Sequence, residues 1–375
     1  MAGVLLGVVC GLTFGAKANI EFQAPQAYMV DFDTGVILLE KNADQQMVPS
    51  SMSKIMTAHL VFERLKSGDI KLDDVMHVSE KAWRMQGSKT FVPLNGKVNV
   101  ADLLQGVIVQ SGNDACIVLA EGLSGTEETF AKEMTEKAHE MGAKNSNFVN
   151  ATGWPDEGHV STARDLALMA IRTIKDFPEE FAQYYALREF EYNKIKQGNR
   201  NTLLYKNMGA DGMKTGHTDA GGYGIVATAK QGDRRIILVV NGLPTSKARD
   251  EEATALINWG FNFFKNYKLF KKGDVVDVAD VWSGAEQSVP LVAGQDVIYT
   301  LPRNKRKELS VKVVYDSPLG APIQAGDKVG VLEITVPDKG IEKIPLVAGK
   351  TVERASFIKR INNSVHYLLW GKNSS

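Results

Sequence analysis

The sequence predicts an α+β fold, in which helices pack on an antiparallel sheet, followed by a small all-β sandwich domain and a C-terminal amphipathic helix. Between residues 53 and 171, apolar residues recur at helical spacing in several segments, and strands joined by short turns lie on either side of this stretch. After residue 266 the helical period disappears, and short strands alternate with Gly and Pro turns. A chain of 375 residues is long enough for two such domains.

The expected boundaries follow these changes in pattern. Residues 1–18 form an apolar leader, and residues 19–266 form the α+β domain. Residues 267–354 form the all-β domain, and residues 355–375 form the amphipathic helix. The second domain carries no group of residues of catalytic type, so we expect it to act as a spacer or docking domain.

The leader has the character of a secretory signal. It is almost wholly apolar or Gly and ends in Ala16-Lys17-Ala18, the small-residue pattern that precedes a cleavage site. We expect cleavage before Asn19, and an uncleaved N-terminal anchor is the alternative. Either one exports the rest of the chain, to the periplasm or to the outer face of the cytoplasmic membrane.

Composition excludes several classes of function. Lys plus Arg and Asp plus Glu both number 44, so no basic excess favours binding to nucleic acid. The six His residues are scattered, and no His or Cys spacing is that of a metal site, so we predict neither metal nor cofactor. Of the two cysteines, Cys10 would leave with the signal, and Cys116 lies in an apolar run typical of a buried core residue.

The elements of the first domain are expected in a definite order. Residues 27–32 and 36–39 predict a hairpin around Asp33-Thr34-Gly35. The elements that follow are helices at 53–65, 100–109, 114–123 and 126–141, a capped helix beginning at 161–165, strands at 223–229 and 235–241, and a helix at 252–264.

The second domain and the tail have simpler patterns. Short strands are expected at 275–281, 297–301, 309–314 and 330–336. In the tail, residues 356–370 place their apolar side chains on one helical face. Such a helix could lie on a membrane surface or pack on its own domain, and the sequence leaves both open.

The first candidate catalytic string is Ser51-Met52-Ser53-Lys54. Pro49 precedes it and an apolar helix follows, so Ser51 is expected at a helix N-terminus, where the backbone N–H groups favour developing negative charge. Lys54 lies one turn further on the same face, and it must be neutral to take a proton from Ser51. Burial and a second cation, for which Lys214 is a candidate, would lower its pKa. Taken alone, Ser51 is better explained as an ordinary helix cap, and the other two strings reverse this preference.

Two further strings complete the set. Ser111-Gly112-Asn113 lies between two apolar helices, where the hydroxyl of Ser111 could pass a proton and the amide of Asn113 could hold a substrate backbone. A plain helix-to-helix turn is the alternative. Lys214-Thr215-Gly216 is expected on a strand whose edge a peptide could approach, since Gly216 has no side chain. An exposed strand end is the alternative.

The ordered set of three strings resembles the low-molecular-mass penicillin-binding proteins, which are serine D-alanyl-D-alanine carboxypeptidases. The resemblance covers nearly the whole chain. The trailing β domain and the amphipathic tail also resemble those of one subgroup of these carboxypeptidases. The segments that carry it are residues 27–31, 49–57, 111–115, 161–165, 199–201, 211–219 and 259–261.

The resemblance implies a role for each residue. Ser51 attacks the carbonyl between two terminal D-alanines, Lys54 takes its proton, and Ser111 with Lys214 returns a proton to the leaving D-alanine. Asn113 holds the substrate backbone, and the backbone N–H groups of Ser51 and His217 form the oxyanion hole. The residues implied to hold the terminal carboxylate are Thr215, Arg200 and Arg249. The implied partners are a peptidoglycan pentapeptide ending in D-Ala-D-Ala, β-lactam antibiotics that acylate Ser51, and a membrane surface under the tail.

Three alternatives remain at this point. A serine β-lactamase shares these strings and would need a Glu to activate water; Glu157 is the candidate, although its surroundings differ from those of such enzymes. A murein endopeptidase would also share them, but such relatives usually lack the β domain. A non-catalytic penicillin-binding sensor or wall-binding module would keep Ser51 reactive without turnover.

Overall fold

The computed structural model describes residues 20–358 and residue 361. This part of the chain divides into two compact units, of which the first ends at Asn262 and the second begins at Phe263. The predicted signal at residues 1–18, with its cleavage before Asn19, lies outside the described residues. So does most of the predicted C-terminal helix, of which Phe357 and Ile358 are helical. No helix in the described ranges is both long and apolar enough to cross a bilayer.

The first unit alternates helices with strands. In chain order it contains β1 (Gln26–Asp31), β2 (Ile37–Lys41), α1 (Lys54–Ser67), β3 (Val75–His77), α2 (Glu80–Arg84), β4 (Lys97–Asn99), α3 (Val100–Gln105), α4 (Asn113–Ser124), α5 (Glu127–Glu140), α6 (Ala163–Asp176), α7 (Pro178–Tyr184), β5 (Glu189–Tyr192), β6 (Ile195–Gly198), β7 (Ala210–Thr218), β8 (Gly222–Gln231), β9 (Arg234–Leu243) and α8 (Ser246–Phe263).

A five-stranded antiparallel sheet organises this unit. Its strand order is β2-β1-β9-β8-β7, so that β7 lies at one edge. The predicted hairpin of β1 and β2 and the predicted pairing of β8 with β9 are both present. Helix α6 packs on β9 and β1, and α1 packs in turn on α6. The edge position of β7 leaves one side of that strand without a partner strand in the described sheet.

Helix α1 is more deeply buried than its sequence indicates. Every residue from Lys54 to Phe62 is buried, including the polar residues Thr57 and His59. Each polar side chain has a partner: Thr57 Oγ1 donates to the carbonyl of Ala151 at 2.7 Å, and His59 Nδ1 lies 3.0 Å from Thr173 Oγ1. Such partners make burial of polar groups tolerable, so α1 can form the centre of the unit.

Two helix ends differ from the prediction. Helix α8 begins at Ser246 and not near residue 252, because the hydroxyl of Thr245 accepts a hydrogen bond from the N–H of Ala248 and the carbonyl of Thr245 accepts one from Arg249. The predicted helix at 100–109 ends in a π-helical turn at Gly106–Gln110. By contrast, the predicted start of α6 is confirmed, since Thr162 caps it by accepting from the N–H of Asp165.

The second unit is built from strands. It contains β10 (Phe264–Phe270), β11 (Val275–Trp282), β12 (Ser288–Ala293), β13 (Val297–Pro302), β14 (Ser310–Val314), β15 (Leu319–Gly320), β16 (Lys328–Val336) and β17 (Gly340–Ala348). One sheet has the order β14-β16-β17-β12-β11-β15, and β10 pairs with β13 in another. Its core consists of Ala, Val, Leu and Ile side chains. The predicted all-β domain is therefore confirmed.

Candidate active site

Ser51 lies on a turn of 3-10 helix, Ser50–Ser53, that leads directly into α1. Ser50 has a φ of 51°, in the left-handed region that a serine seldom adopts. The space around this turn is closely filled. A Cβ at Gly153 would overlap the carbonyl oxygen of Ser50, and one at Gly216 would lie 3.0 Å from the carbonyl oxygen of Pro49. Gly153 is therefore needed for the turn to pack where it does, and a side chain at position 216 would press on the turn.

Lys54 joins Ser51 to a distant part of the chain. Its Nζ donates to Ser51 Oγ at 2.9 Å and to Asn113 Oδ1 at 2.7 Å, and also to the carbonyl of Thr152. The side chain is only 1% exposed. Burial lowers the pKa of Lys54 to about 8, with a further lowering from the charge of Arg200 and opposing effects from Cys116 and Asp114. A substantial fraction of Lys54 is therefore neutral near physiological pH.

The predicted Ser111 and Asn113 lie where α4 begins. Ser111 follows the π-helical turn with a φ of 68°, and its buried Oγ has no hydrogen-bond partner among the described residues. Asn113 accepts from Lys54 through Oδ1 and donates from Nδ2 to the carbonyl of Gln86 at 2.8 Å. The hydroxyl of Ser111 is thus uncommitted, whereas the amide of Asn113 has a fixed orientation.

A neighbouring carboxylate holds this loop in place. Asp114 is 1% exposed and accepts from the backbone N–H groups of Thr90, Phe91 and Val92 at 2.8, 2.8 and 3.2 Å. A carboxylate that accepts several backbone N–H groups fixes the segments on both sides. Asp114 therefore ties the segment at residues 90–92, which lies between α2 and β4, to the start of α4.

The predicted string Lys214-Thr215-Gly216 lies on β7. Lys214 is 3% exposed, and its Nζ donates to the carbonyl of Thr215 at 3.2 Å. Burial, followed by the charges of Lys54 and Arg200, holds the pKa of Lys214 well below its usual range. The charge of Lys54 thus acts on Lys214, and the charge of Arg200 lowers the pKa of both amines.

The remaining predicted residues surround β7. His217 is exposed and stacks on Tyr223 with ring centroids 3.8 Å apart. Arg200 is also exposed, although burial of its guanidinium and then the charge of Arg249 lower its pKa. Arg249 is 5% exposed and forms an ion pair with Asp250 at 2.7 Å. Arg249 is therefore not a solvated charge, because α8 begins before it and buries it.

A cavity of about 280 Å³ opens at Ser51. Among the predicted site residues, Ser51, Asn113 and His217 line it, while the others named above do not. The full lining is Ser51, Gly87, Ser88, Asn113, Thr152, Gly153, Trp154, Pro155, His217, Thr218 and Asp219. The cavity thus brings together one residue from each of the first two strings and the residue that follows the third.

Sequence reasoning missed the contribution of residues 152–159. Thr152 supplies a carbonyl to Lys54, Gly153 gives room to Ser50, and Trp154 presents a side chain 44% exposed at the cavity. The signal available was the string Gly153-Trp154-Pro155, since Gly and Pro beside an aromatic residue favour a shaped loop. Glu157, the residue considered for a β-lactamase, is exposed and does not line the cavity.

Comparison with known proteins decides the family. Residues 13–245 match the family described as D-alanyl-D-alanine carboxypeptidase. The chain belongs to this family. Residues 264–354 match a second family, described as the C-terminal domain of penicillin-binding protein 5. The fold and the catalytic type expected from the three strings are therefore both confirmed, whereas the C-terminal amphipathic helix is not.

Individual relatives of this carboxypeptidase cover most of its length. The D-alanyl-D-alanine carboxypeptidase DacC of Escherichia coli is 39% identical over 93% of this chain and 90% of its own. DacA of Haemophilus influenzae is 38% identical over 89% of this chain and 86% of its own. The crystal structure of penicillin binding protein 5 from Haemophilus influenzae superposes with a TM-score of 0.77 at 37% identity, covering 92% of this chain and all (100%) of that one. The chain is thus a serine-type D-alanyl-D-alanine carboxypeptidase, a hydrolase.

Proposed function

We propose that this carboxypeptidase removes the terminal D-alanine of peptidoglycan pentapeptides through an acyl-enzyme formed on Ser51. The observation that supports this most is the 2.9 Å contact between Lys54 Nζ and Ser51 Oγ, with the pKa of Lys54 lowered to about 8. A neutral amine at this distance takes the hydroxyl proton as Ser51 attacks the carbonyl between the two D-alanines. The attack forms a tetrahedral intermediate, whose oxyanion accepts from the backbone N–H groups of Ser51 and His217.

The leaving D-alanine needs a proton on its nitrogen. We assign this transfer to Ser111 and Lys214, because both are buried and the hydroxyl of Ser111 has no other hydrogen-bond partner among the described residues. Water then attacks the acyl carbonyl and gives its proton to the neutral amine of Lys54, which passes it to the released Ser51 Oγ. Asn113 holds the substrate backbone at the cavity that it lines with Ser51.

The free carboxylate of the substrate identifies its chain end. We assign its recognition to Thr215, Arg200 and Arg249, where Arg200 and Arg249 are close enough for the charge of Arg249 to lower the pKa of Arg200. Two cations that repel each other gain stability when an anion binds between them. Penicillins carry a carboxylate and a reactive carbonyl, so they acylate Ser51 by the same route.

We further propose that the mature chain is exported and that its tail lies on a membrane surface. Phe357, Ile358 and Ile361 are 70%, 81% and 51% exposed, which supports an apolar surface contact. Co-sedimentation with phosphatidylglycerol vesicles tests this. The full chain should sediment and a chain ending at Ala355 should remain in solution; equal sedimentation of both would contradict the proposal.

D-Alanine release from a pentapeptide ending in D-Ala-D-Ala tests the reaction itself. The wild-type chain should release D-alanine and be labelled by penicillin, and Ser51→Ala should lose both by at least about 10³-fold. Ser50→Gly is the matched control, because it removes the neighbouring hydroxyl at a backbone conformation that Gly adopts freely. Penicillin labelling without D-alanine release would instead support a sensor.

A further inference from the structure

A buried chain of hydrogen bonds lies behind the nucleophile and takes no part in the mechanism above. His159 Nε2 lies 2.8 Å from Ser53 Oγ, and Ser53 Oγ donates to the carbonyl oxygen of Ser50 at 2.9 Å. Ser50, Ser53 and His159 are each at most 1% exposed. The imidazole also packs edge-on against Phe148, with ring centroids 5.5 Å apart. The chain therefore connects a fixed histidine to the residue immediately before Ser51.

The direction of each hydrogen bond is determined. The backbone N–H of Val149 donates to His159 Nδ1 at 3.2 Å, so Nδ1 carries the lone pair and Nε2 carries the proton. Nε2–H then donates to Ser53 Oγ, whose own proton goes to the carbonyl of Ser50. This arrangement requires a neutral imidazole, and burial, followed by the charge of Lys54, lowers the pKa of His159 to about 4.

The carbonyl at the end of this chain shares a peptide unit with a catalytic group. The peptide bond is planar, so the Ser50 carbonyl and the Ser51 N–H point in opposite directions from one rigid plane. A hydrogen bond to the carbonyl thus sets the direction of the N–H. It also polarises the peptide, which makes the N–H a stronger donor. The left-handed φ of 51° at Ser50 costs energy for a serine, so this orientation needs outside support.

We propose that His159 is a positioning residue, which acts through Ser53 to aim the Ser51 N–H at the oxyanion of the acylation step. This inference rests on the proposed function, in which the Ser51 N–H is an oxyanion donor. It adds to that function a role for a histidine that contacts neither Ser51 nor Lys54 by any hydrogen bond in the described structure. A merely structural histidine would matter only through its packing and its contact with Val149.

Two substitutions distinguish these roles, because each places a side-chain amide at the position of a different imidazole nitrogen. His159→Asn places an amide near Nδ1, so it can still accept from Val149 but cannot reach Ser53. His159→Gln reaches the position of Nε2, so it can still donate to Ser53 but loses the contact with Val149. A positioning role predicts that Gln retains activity and Asn does not. A structural role predicts equal losses or the reverse order.

The expected results are specific. In the full chain, His159→Asn should lower kcat for D-alanine release and the rate of acylation by penicillin by about 10–100-fold, with KM little changed, because removing an oxyanion donor outright costs about 10²–10³-fold. For His159→Gln, kcat and the acylation rate should both remain within about threefold of the wild-type values. The inference is overturned if Asn is as active as Gln, or if both lose activity in proportion to their loss in Tm.

Ser53 provides a second test that leaves the histidine in place. Ser53→Ala should reproduce the loss seen for His159→Asn, and Ser53→Thr, which keeps the hydroxyl, should retain activity. The double variant S53A/H159N should lose no more than either single variant, since both cut one chain. Additive losses in the double variant would contradict the chain.

A readout independent of activity separates this inference from the proposed function. Hydrogen–deuterium exchange should be faster in a peptide covering residues 49–56 for His159→Asn and Ser53→Ala, but unchanged for His159→Gln. If wild type releases no D-alanine and takes no penicillin, the proposed function fails, and the exchange data still decide whether His159 holds the turn. Unchanged exchange in all three variants would overturn the inference.

Discussion

The two units of the chain differ most in what they bury. The first unit encloses ionisable groups, among them Lys54, Lys214 and Asp114, at exposures of 1%, 3% and 1%. In the second unit, as far as the structure describes it, Thr300 is the one buried polar side chain, and the rest of the core is aliphatic. The first unit places amines and carboxylates away from water at a cost in free energy, and the second unit avoids this cost.

This difference supports the first unit as the place where we expect the chemistry. Burying an unpaired charge is strongly unfavourable, so a buried amine either finds hydrogen-bond acceptors or gives up its proton. Lys54 does both, since it has three acceptors and a pKa lowered to about 8. The core of the second unit is stabilised by the burial of apolar side chains. A catalytic unit and a purely structural unit can therefore be distinguished by their buried polar groups.

Among changes that leave Ser51 in place, replacing Lys54 should have the largest effect on activity. Lys54→Met keeps a long side chain in the same space but removes the base, so acylation by penicillin should fall by about 10³-fold. The measurement is the second-order rate of labelling, with circular dichroism to confirm that α1 remains folded. A loss of less than about tenfold would show that another group takes the proton of Ser51.

The pH dependence of acylation tests the role of Lys54 as the base without a mutation. Because only the neutral amine accepts a proton, the rate should rise with pH and level off above the lowered pKa of Lys54, about 8. Below that pH the rate should fall about tenfold per pH unit. Labelling rates from pH 5.5 to 9.5, with Tm measured in the same buffers, check this. A rate independent of pH in this range would mean that Lys54 is not the base.

Changing the aliphatic core of the second unit should have the smallest effect on activity. Leu332 is 0% exposed, so Leu332→Ala should lower the free energy of unfolding by about 2–5 kcal/mol. At 25 °C kcat should nevertheless stay within about twofold, because this core holds no catalytic group. Thermal unfolding and D-alanine release are measured on the same sample. A fall in kcat without a fall in Tm would show that the core of the second unit contributes to catalysis, which contradicts the contrast between the two units.

Much of this organisation could be predicted from local sequence patterns. The contact of Ser51 with Lys54 follows from their separation by one helical turn, and the strand at β7 follows from its place just before the predicted hairpin of β8 and β9. The convergence of Asn113 on Lys54, 59 residues away, could be inferred only because three weak strings occurred together. Local pattern alone would not have given it.

Other features depend on tertiary contacts that no local pattern carries. The carbonyl of Thr152 accepts from Lys54, and any residue type can supply a carbonyl. The need for Gly153 arises from the approach of Ser50, more than a hundred residues earlier in the chain. In the sequence His159 is one of six scattered histidines, and only its contact with Ser53 in the structure distinguishes it from the others. Likewise, α8 begins early because of a cap at Thr245 that lies outside the apolar pattern.

We expect the acyl bond to form on the hydroxyl of Ser51, beside an amine whose pKa is lowered to about 8. Tandem mass spectrometry of the chain trapped with penicillin tests it most directly. We expect one added penicillin per chain, located on Ser51 and absent from the adjacent Ser50, whose Oγ is engaged with Thr218 Oγ1 at 2.9 Å. An adduct on Ser50 or on any other residue would contradict the account.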